Sequence, residues 1–475
     1  MIPRKPDNRY MLTPDEVSFD PGSFKDPDGG VLFHGNRVFR YFTDTGATSF
    51  RAVTASGLLD VLARKGIVVE SRPVDMSQVP GLSQAAPDAA LFVEHPRIPF
   101  VSYCYEWPFG MLKAAALCHL DIVSTALEQG YILKDATPYN VQFLGTRPLF
   151  VDVASFEPYV EGQPWNAYSQ FCHLFLNPLL LQALTGVRFQ DWLRGALDGI
   201  SPGDLSRTLS WRHKLRPAVF AHVALHAWLE EQARSAPDKE SMPRKAVGKH
   251  QLVRMVTQIR KTIAGLRPGR SPSIWTGYEE DNTYSRNARA RKEAFVESVL
   301  AASTPRTVWD LGCNTGRYAL LASRHAAHVV AMDGDPDAVD ALYERASASA
   351  PNVLPLVVNL LDPSPDRGWA QAERRGILQR GPADMALCLA LVHHLSIGGN
   401  VPLPRVAAWL RRTARRVIVE FVPKEDVGAQ KLLRWKQDVY PGYTQAAFEA
   451  ALHEHFQISD QCRLPDSGRI LYSLT

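Results

Sequence analysis

VWDLGCNTGRYALL, residues 308–321, joins an apolar strand ending in Asp310 to a helix through the turn Gly312-Cys313-Asn314-Thr315-Gly316. In a doubly wound sheet, ligands sit beyond the carboxyl ends of the strands, and glycines in the first strand-to-helix turn let a ligand approach the backbone. Gly312 and Gly316 stand four apart with no glycine between them, so the turn lacks the G-x-G-x-x-G spacing of a dinucleotide pyrophosphate site. A dehydrogenase is the weaker reading. Seventeen residues after Gly316 the strand HVVAM ends in Asp333, followed by Gly334-Asp335-Pro336. A carboxylate there can accept hydrogen bonds from both hydroxyls of a ribose and would repel a neighbouring phosphate. The implied ligand is a nucleoside with free 2′ and 3′ hydroxyls.

Outward from this unit the pattern alternates. TVWDLG, HVVAMD, VLPLVVN, DMALCLAL and RVIVEFV read as strands, and RYALLASRH, PDAVDALYERA and VPLPRVAAWLRRTA as helices. That order predicts a parallel sheet covered on both faces, an α/β half.

On the ordered set of Asp310, Gly312, Asn314, Gly316 and Asp333, the stretch from about residue 275 to 475 resembles the class I S-adenosylmethionine-dependent methyltransferases. The resemblance implies a Rossmann-like sheet, closed by RILYSL as an antiparallel strand, and S-adenosylmethionine as cofactor. It places Asp310, Gly312, Asn314 and Gly316 at the methionine portion, Asp333 at the ribose, Asn359 and Asp362 at the adenine, and Leu389 and Ala390 near the sulfonium. The segment before the first strand is expected to fold over the cofactor, with Tyr284 and Lys292 at the methionine carboxylate. Asp335 has a second reading as the cap of the helix beginning at Pro336, and Asp362 as the turn before Pro363. Methyl transfer to a hydroxyl needs alignment, a dry pocket and a base. His393 and His394, in LALVHHLSIGG after the fourth strand, are the candidate bases, with His393 slightly favoured; Glu420 at the end of RVIVEF is a further catalytic candidate.

The first half reads as α+β. VLFHGNRVFRYF predicts a hairpin around His34-Gly35-Asn36-Arg37, a helix is expected over 49–65, FVSYCYEW as a strand, and a long helix over 109–128. Residues 165–232 read as mostly helical, packed by Trp192, Trp211 and Trp228. In LKDATPYNVQF, Asp135 and Asn140 stand five positions apart, and Asp152 follows in PLFVDVASF. This resembles the catalytic loop and metal-binding Asp of protein kinases and of small-molecule kinases similar to aminoglycoside phosphotransferases. The resemblance implies a kinase-like domain with a reduced N-lobe, Asp135 as base, and Asn140 and Asp152 holding Mg on ATP. Departures are plain: no His precedes the loop, Ala154-Ser155 replaces Phe-Gly, no G-x-G-x-x-G precedes the hairpin, and Arg40 stands where a lysine is expected. An active kinase and a retired module that binds acceptor or scaffolds the transferase both stay open. The K-D-A-x-x-Y-N-x-Q-F stretch also resembles bacterial nodulation-protein-like methyltransferases, and the two-part layout is similar to bifunctional kinase-methyltransferases of polysaccharide ends.

The reading is therefore a kinase-like domain over 1–232, a basic connector over 233–275, and a methyltransferase domain over 276–475. Within the connector, Leu252, Val256, Ile259, Ile263 and Leu266 predict an amphipathic helix bridging the two. Across 475 residues, 53 Lys and Arg face 49 Asp and Glu, a charge of +4 too mild to call for nucleic acid. The six cysteines form no C-x-x-C pair or zinc-spaced cluster, which fits a reduced intracellular protein without a structural metal. Met1 to Tyr10 lacks a signal-peptide core and no apolar run is expected to span a membrane, so the expectation is a cytoplasmic enzyme. It transfers a methyl group to an oxygen or nitrogen of a small-molecule or glycan acceptor. The alternatives are a bifunctional kinase-methyltransferase and a non-catalytic cofactor-binding regulator.

Overall fold

In the computed structural model, which describes residues 17–75, 81–235, 246–269, 284–434 and 438–475, the first half opens with a five-stranded antiparallel sheet. Its strands β1 (Val17–Phe19), β2 (Gly29–His34), β3 (Arg37–Phe42), β4 (Arg72–Pro73) and β5 (Leu91–His95) lie in the order β1-β2-β3-β5-β4. The expected hairpin is β2 and β3, turned by Gly35 at φ 56°. The helix expected over 49–65 forms instead as two, Asp44–Ala55 and Leu58–Arg64, because Gly57 takes a left-handed conformation (φ 79°) between them. FVSYCYEW is not a strand. Glu106 accepts the Tyr103 N–H at 3.1 Å and folds Cys104–Glu106 into a single 3₁₀ turn, while the last strand of the sheet lies earlier, at β5.

Helix Phe109–Glu128 is the spine of the first half. By length and composition alone it could cross a bilayer, the only such helix among the described residues, but thirteen of its twenty residues are buried inside the protein, as in a core helix. After it come β6 (Tyr131–Leu133), the hairpin β7 (Val141–Leu144) and β8 (Arg147–Phe150), and β9 (Phe156–Pro158), which pairs with β6. A helical layer follows over 168–235, with Trp192 partly buried, whereas Trp211 and Trp228 are exposed and do not pack it. The connector's helix, Lys249–Gly265, buries Leu252, Val256, Ile259 and Ile263. It lies along the spine, where Arg260 Nε donates to Asp121 at 2.5 Å and Lys113 Nζ to the Leu266 carbonyl at 2.9 Å. It is part of the first half's packing rather than a solvated bridge. The segment before Tyr284 that was expected to cover the cofactor, and the N-terminal ten residues, lie outside the described residues.

In the second half, β10 (Thr307–Leu311), β11 (His328–Asp333), β12 (Val353–Val357), β13 (Ala383–Cys388), β14 (Ala414–Phe421), β15 (Ile458–Arg463) and β16 (Ile470–Leu474) form one sheet in the order β12-β11-β10-β13-β14-β16-β15. The first five in that order run parallel and β16 is antiparallel to both neighbours. Strand order reverses between β10 and β13, which opens a crevice at their carboxyl ends.

The two halves share one apolar core. Phe100 meets Trp309 edge to face at 5.6 Å, and the buried Arg380 grips Glu106 at 2.5 and 2.8 Å. Asp340, on the helix after β11, accepts the Gly110 N–H at 2.6 Å at the start of the spine. Gly145 sits so close to the Pro351 carbonyl that a Cβ there would come within 1.7 Å of it.

Candidate functional site

A cavity of about 600 Å³ fills the crevice. Its floor is the turn after β10, where Gly312 (φ 77°), Asn314 (φ 48°) and Gly316 (φ 87°) take left-handed conformations. A Cβ on Gly316 would come within 2.1 Å of the Leu342 side chain on the helix Pro336–Ser349, and the left-handed φ disfavours any side chain there, so both favour glycine. Asp310 is buried at the bottom with Oδ2 unpartnered, and burial, then the nearby Asp333, pushes its carboxyl up to about 7. Asp333 lines the wall beside it. Its Oδ2 accepts the Asn314 N–H at 2.8 Å and its Oδ1 the Asp335 N–H at 2.9 Å, which fixes the carboxylate at the cavity wall. Asp335 caps the helix Pro336–Ser349 by accepting the Asp337 N–H at 3.0 Å.

At the end of the cavity beyond Asp333, Asn359, Leu360 and Leu361 form the wall. The Asn359 side chain accepts the Leu361 N–H at 3.0 Å and so shapes its own loop. Asp362 is not in the cavity: it is ion-paired with Arg194 of the first half, which corrects its expected place at an adenine. Leu389 and Ala390 line the opposite side, with Ala390 at φ 50° and its N–H donating to Glu420 Oε2 at 2.8 Å.

Two catalytic candidates are relocated by the structure. His393 is fully buried, neither ring nitrogen has a hydrogen-bond partner, and burial, His394, Arg469 and Lys292 push it down to about 2. It faces packing rather than the cavity. His394, its ring tilted against it with centroids 4.2 Å apart, lines the cavity, and its pKa is lowered by burial and by Arg469. Glu420 is also withdrawn from the cavity lining. It accepts from Lys292 Nζ and Tyr284 Oη, each at 2.7 Å. Burial pushes its carboxyl up, but Lys292, Arg469 and these hydrogen bonds outweigh burial and hold it below the usual carboxylate range. Together with the Ala390 N–H, these donors occupy both of its oxygens. Tyr284 and Lys292 both reach the cavity, the Lys292 ammonium lying 4.7 Å over the Tyr284 ring and 4.8 Å over Tyr318.

In the first half the fold brings Asp135, Asn140 and Asp152 close together, but Asp152 is already engaged. Asn140 Nδ2 donates to its Oδ2 at 3.0 Å and Arg40 lies 3.3 Å from its Oδ1. Arg40 also approaches Asp26 at 3.4 Å, and Lys134 is paired with Asp28 at 3.1 Å. Among the described residues no group of three His, Cys, Asp or Glu could hold a metal ion. These residues do not fit Mg and ATP as expected: the position meant for metal charge holds a guanidinium.

The chain is 37% identical to nodulation protein NoeA of Rhizobium meliloti over 458 residues, 95% of each chain. It belongs to the NoeA family. The kinship spans both halves, so the NoeA-family layout is the whole two-part molecule and not the second sheet alone. No family model matches the sequence. Among solved structures, magnesium protoporphyrin IX methyltransferase ChlM of Synechocystis PCC 6803 aligns at 19% identity over 43% of this chain and 89% of its own, with a TM-score of 0.29. N-methyltransferase NodS of Bradyrhizobium japonicum WM9 aligns at 12% identity over 40% and 97%, with a TM-score of 0.28.

Several residues of this NoeA-family cavity escaped the sequence. Arg289, three residues before Lys292 on the same helix face, lines the cavity and was legible from that spacing. Arg188 also lines it, held 3.2 Å from Asp337 and 3.6 Å from Asp335, yet it belongs to the first half, more than a hundred residues upstream, and nothing local marks it.

Proposed function

We propose that the chain is an S-adenosylmethionine-dependent methyltransferase acting on an oxygen or nitrogen of a small-molecule or glycan acceptor. The observation that carries the reading is the Asp310–Asp333 pair at the crevice: one buried carboxyl with an unpartnered oxygen, and one carboxylate oriented at the cavity wall by two backbone N–H groups. Those features fit the cofactor. Asp333 would take the ribose hydroxyls, Asp310, Gly312 and Asn314 the methionine portion, Asn359 to Leu361 the adenine, and Leu389 and Ala390 the sulfonium neighbourhood. When bound, the cofactor supplies a methyl group already activated on sulfur. The chain's own task is then alignment, exclusion of water by Leu389, Leu391 and Leu395, and proton removal from the acceptor, for which His394 is placed in the cavity wall. Its depressed pKa keeps the imidazole neutral and able to accept a proton.

Kinship with a nodulation protein extends the proposal to a place in nodulation-related chemistry. A bifunctional kinase reading draws no support from the first half, whose Asp152 is taken by Arg40 and Asn140. Titration calorimetry with S-adenosylhomocysteine tests the proposal. Binding in about the micromolar range, lost in Asp333→Ala, is expected; equal affinity in that variant removes the assignment. Turnover across an acceptor panel separates an enzyme from a cofactor-binding regulator.

A further inference from the structure

Among the described residues, no element covers one face of the first half's helical layer. Sixteen large apolar side chains are exposed among the described residues, and six of them fall within 211–229: Trp211, Leu215, Phe220, Leu225, Trp228 and Leu229. Trp211 is 68% exposed, Leu215 70%, Phe220 56% and Trp228 57%. They are not scattered. From Pro217 to Ser235 the chain runs as one helix with a wide turn at Phe220–Ala224. Its inward face is Val219, His222, Val223 and His226, where Tyr168 Oη meets His222 Nδ1 at 2.7 Å and Glu230 binds His226 Nε2 at 3.2 Å. Phe220, Leu225, Trp228 and Leu229 therefore share the outward side. The short helix before it, Trp211–Lys214, adds Trp211 and, just beyond it, Leu215.

Cations edge the stripe. Arg207, Arg212, Lys214 and Arg216 lie within ten residues, Arg212 stacked 5.4 Å over the Trp211 ring and Arg207 3.1 Å from Asp204. Of the acids nearby, Glu230 is turned toward His173 and His226, which leaves Glu231 exposed. A twofold contact between two copies of this face would bring together two surfaces that each carry more cations than acids, at a cost in like-charge repulsion. An anionic surface meets the same charges favourably. An exposed helical stripe of Phe and Leu, with an indole toward each end and Arg and Lys beside it, matches an interfacial helix: apolar groups at the acyl boundary, indoles at headgroup depth, cations on the phosphates. We propose that this face docks the protein onto an anionic lipid bilayer.

Co-sedimentation of the full chain with vesicles tests it. Binding is expected to phosphatidylcholine vesicles carrying about a third phosphatidylglycerol, and to fall at least about tenfold on phosphatidylcholine alone or in high salt. The double variant Trp211→Ser/Trp228→Ser should lose at least about tenfold in vesicle binding with its melting temperature kept. Arg212→Glu/Lys214→Glu, both at the surface, should lose the preference for the anionic lipid. Equal pelleting with and without vesicles overturns the proposal, as does unchanged binding in either variant. So does a concentration-dependent dimer in light scattering that Trp228→Ser dissolves, or saturable binding of acidic peptides where the vesicles give none.

Discussion

Glu420, at the end of β14, and Lys292, on the helix ahead of β10, meet at 2.7 Å with both side chains withdrawn from solvent. The pair ties the helix lining the cavity to the sheet beneath it, and the Ala390 N–H on the same carboxylate adds the loop after β13. Removing one partner of such a pair strands the other charge.

Glu420→Gln is therefore expected to destabilise the chain by about 3 kcal/mol in denaturant titration. Glu420→Leu combined with Lys292→Leu should recover most of that loss, because no uncompensated charge is left behind. Recovery by the double change with cofactor binding still weakened would show that the pair serves position more than stability.

Asp310 makes the opposite bargain. Its folded pKa, about 7, lies above the ordinary carboxylate value of 3.8, so the folded state holds the proton more tightly. The stabilisation it contributes is fully present below the ordinary value and is lost as pH rises toward 7. Asp310→Asn should be more stable than the parent at pH 8 by about 2 kcal/mol in denaturant titration, a gap that closes near pH 4. The same variant should bind S-adenosylhomocysteine about tenfold more weakly or worse.

The adjacent histidines should separate cleanly. His393→Leu replaces an imidazole without hydrogen bonds and is expected to leave stability unchanged or raised, and turnover within about threefold. His394→Gln should lower kcat by about 10²–10⁴ with an acceptor hydroxyl, measured as S-adenosylhomocysteine release. Equal losses in the two would remove the distinction drawn from their placement.

Arg188→Ala should weaken S-adenosylhomocysteine about fivefold, because it removes a wall of the cavity supplied from the other half. Its ion pairs with Asp335 and Asp337 are partly solvated, so the melting temperature should move little. A calorimetric titration beside a melting curve reads both.

Much of the second half was written in its alternation of apolar runs and helices, because each strand must be buried on both faces. The turn from Asp310 to Gly316 was legible for the same reason: left-handed backbone demands glycine or asparagine, and those residues stand there. What failed were decisions made by distant partners. Glu420 and His393 look like catalytic groups in one dimension, and only packing shows the first saturated by Lys292 and Tyr284 and the second buried with neither ring nitrogen hydrogen-bonded. Asp362 was drawn out of the site by Arg194, and Asp152 was neutralised by Arg40, both contacts spanning more than a hundred residues of sequence. Trp211 and Trp228 obey helical periodicity yet face outward, since periodicity reports a stripe and not which side is covered.

The close approach of Gly145 to Pro351 bears on how the protein can be handled. A hairpin tip from one half rests on the bare backbone of the other, and even a methyl group would pry the joint apart. Dissection at the connector would thus leave two fragments with raw apolar flanks, prone to precipitate, and a chimera swapping either half would need to import its counterpart's mating surface as well.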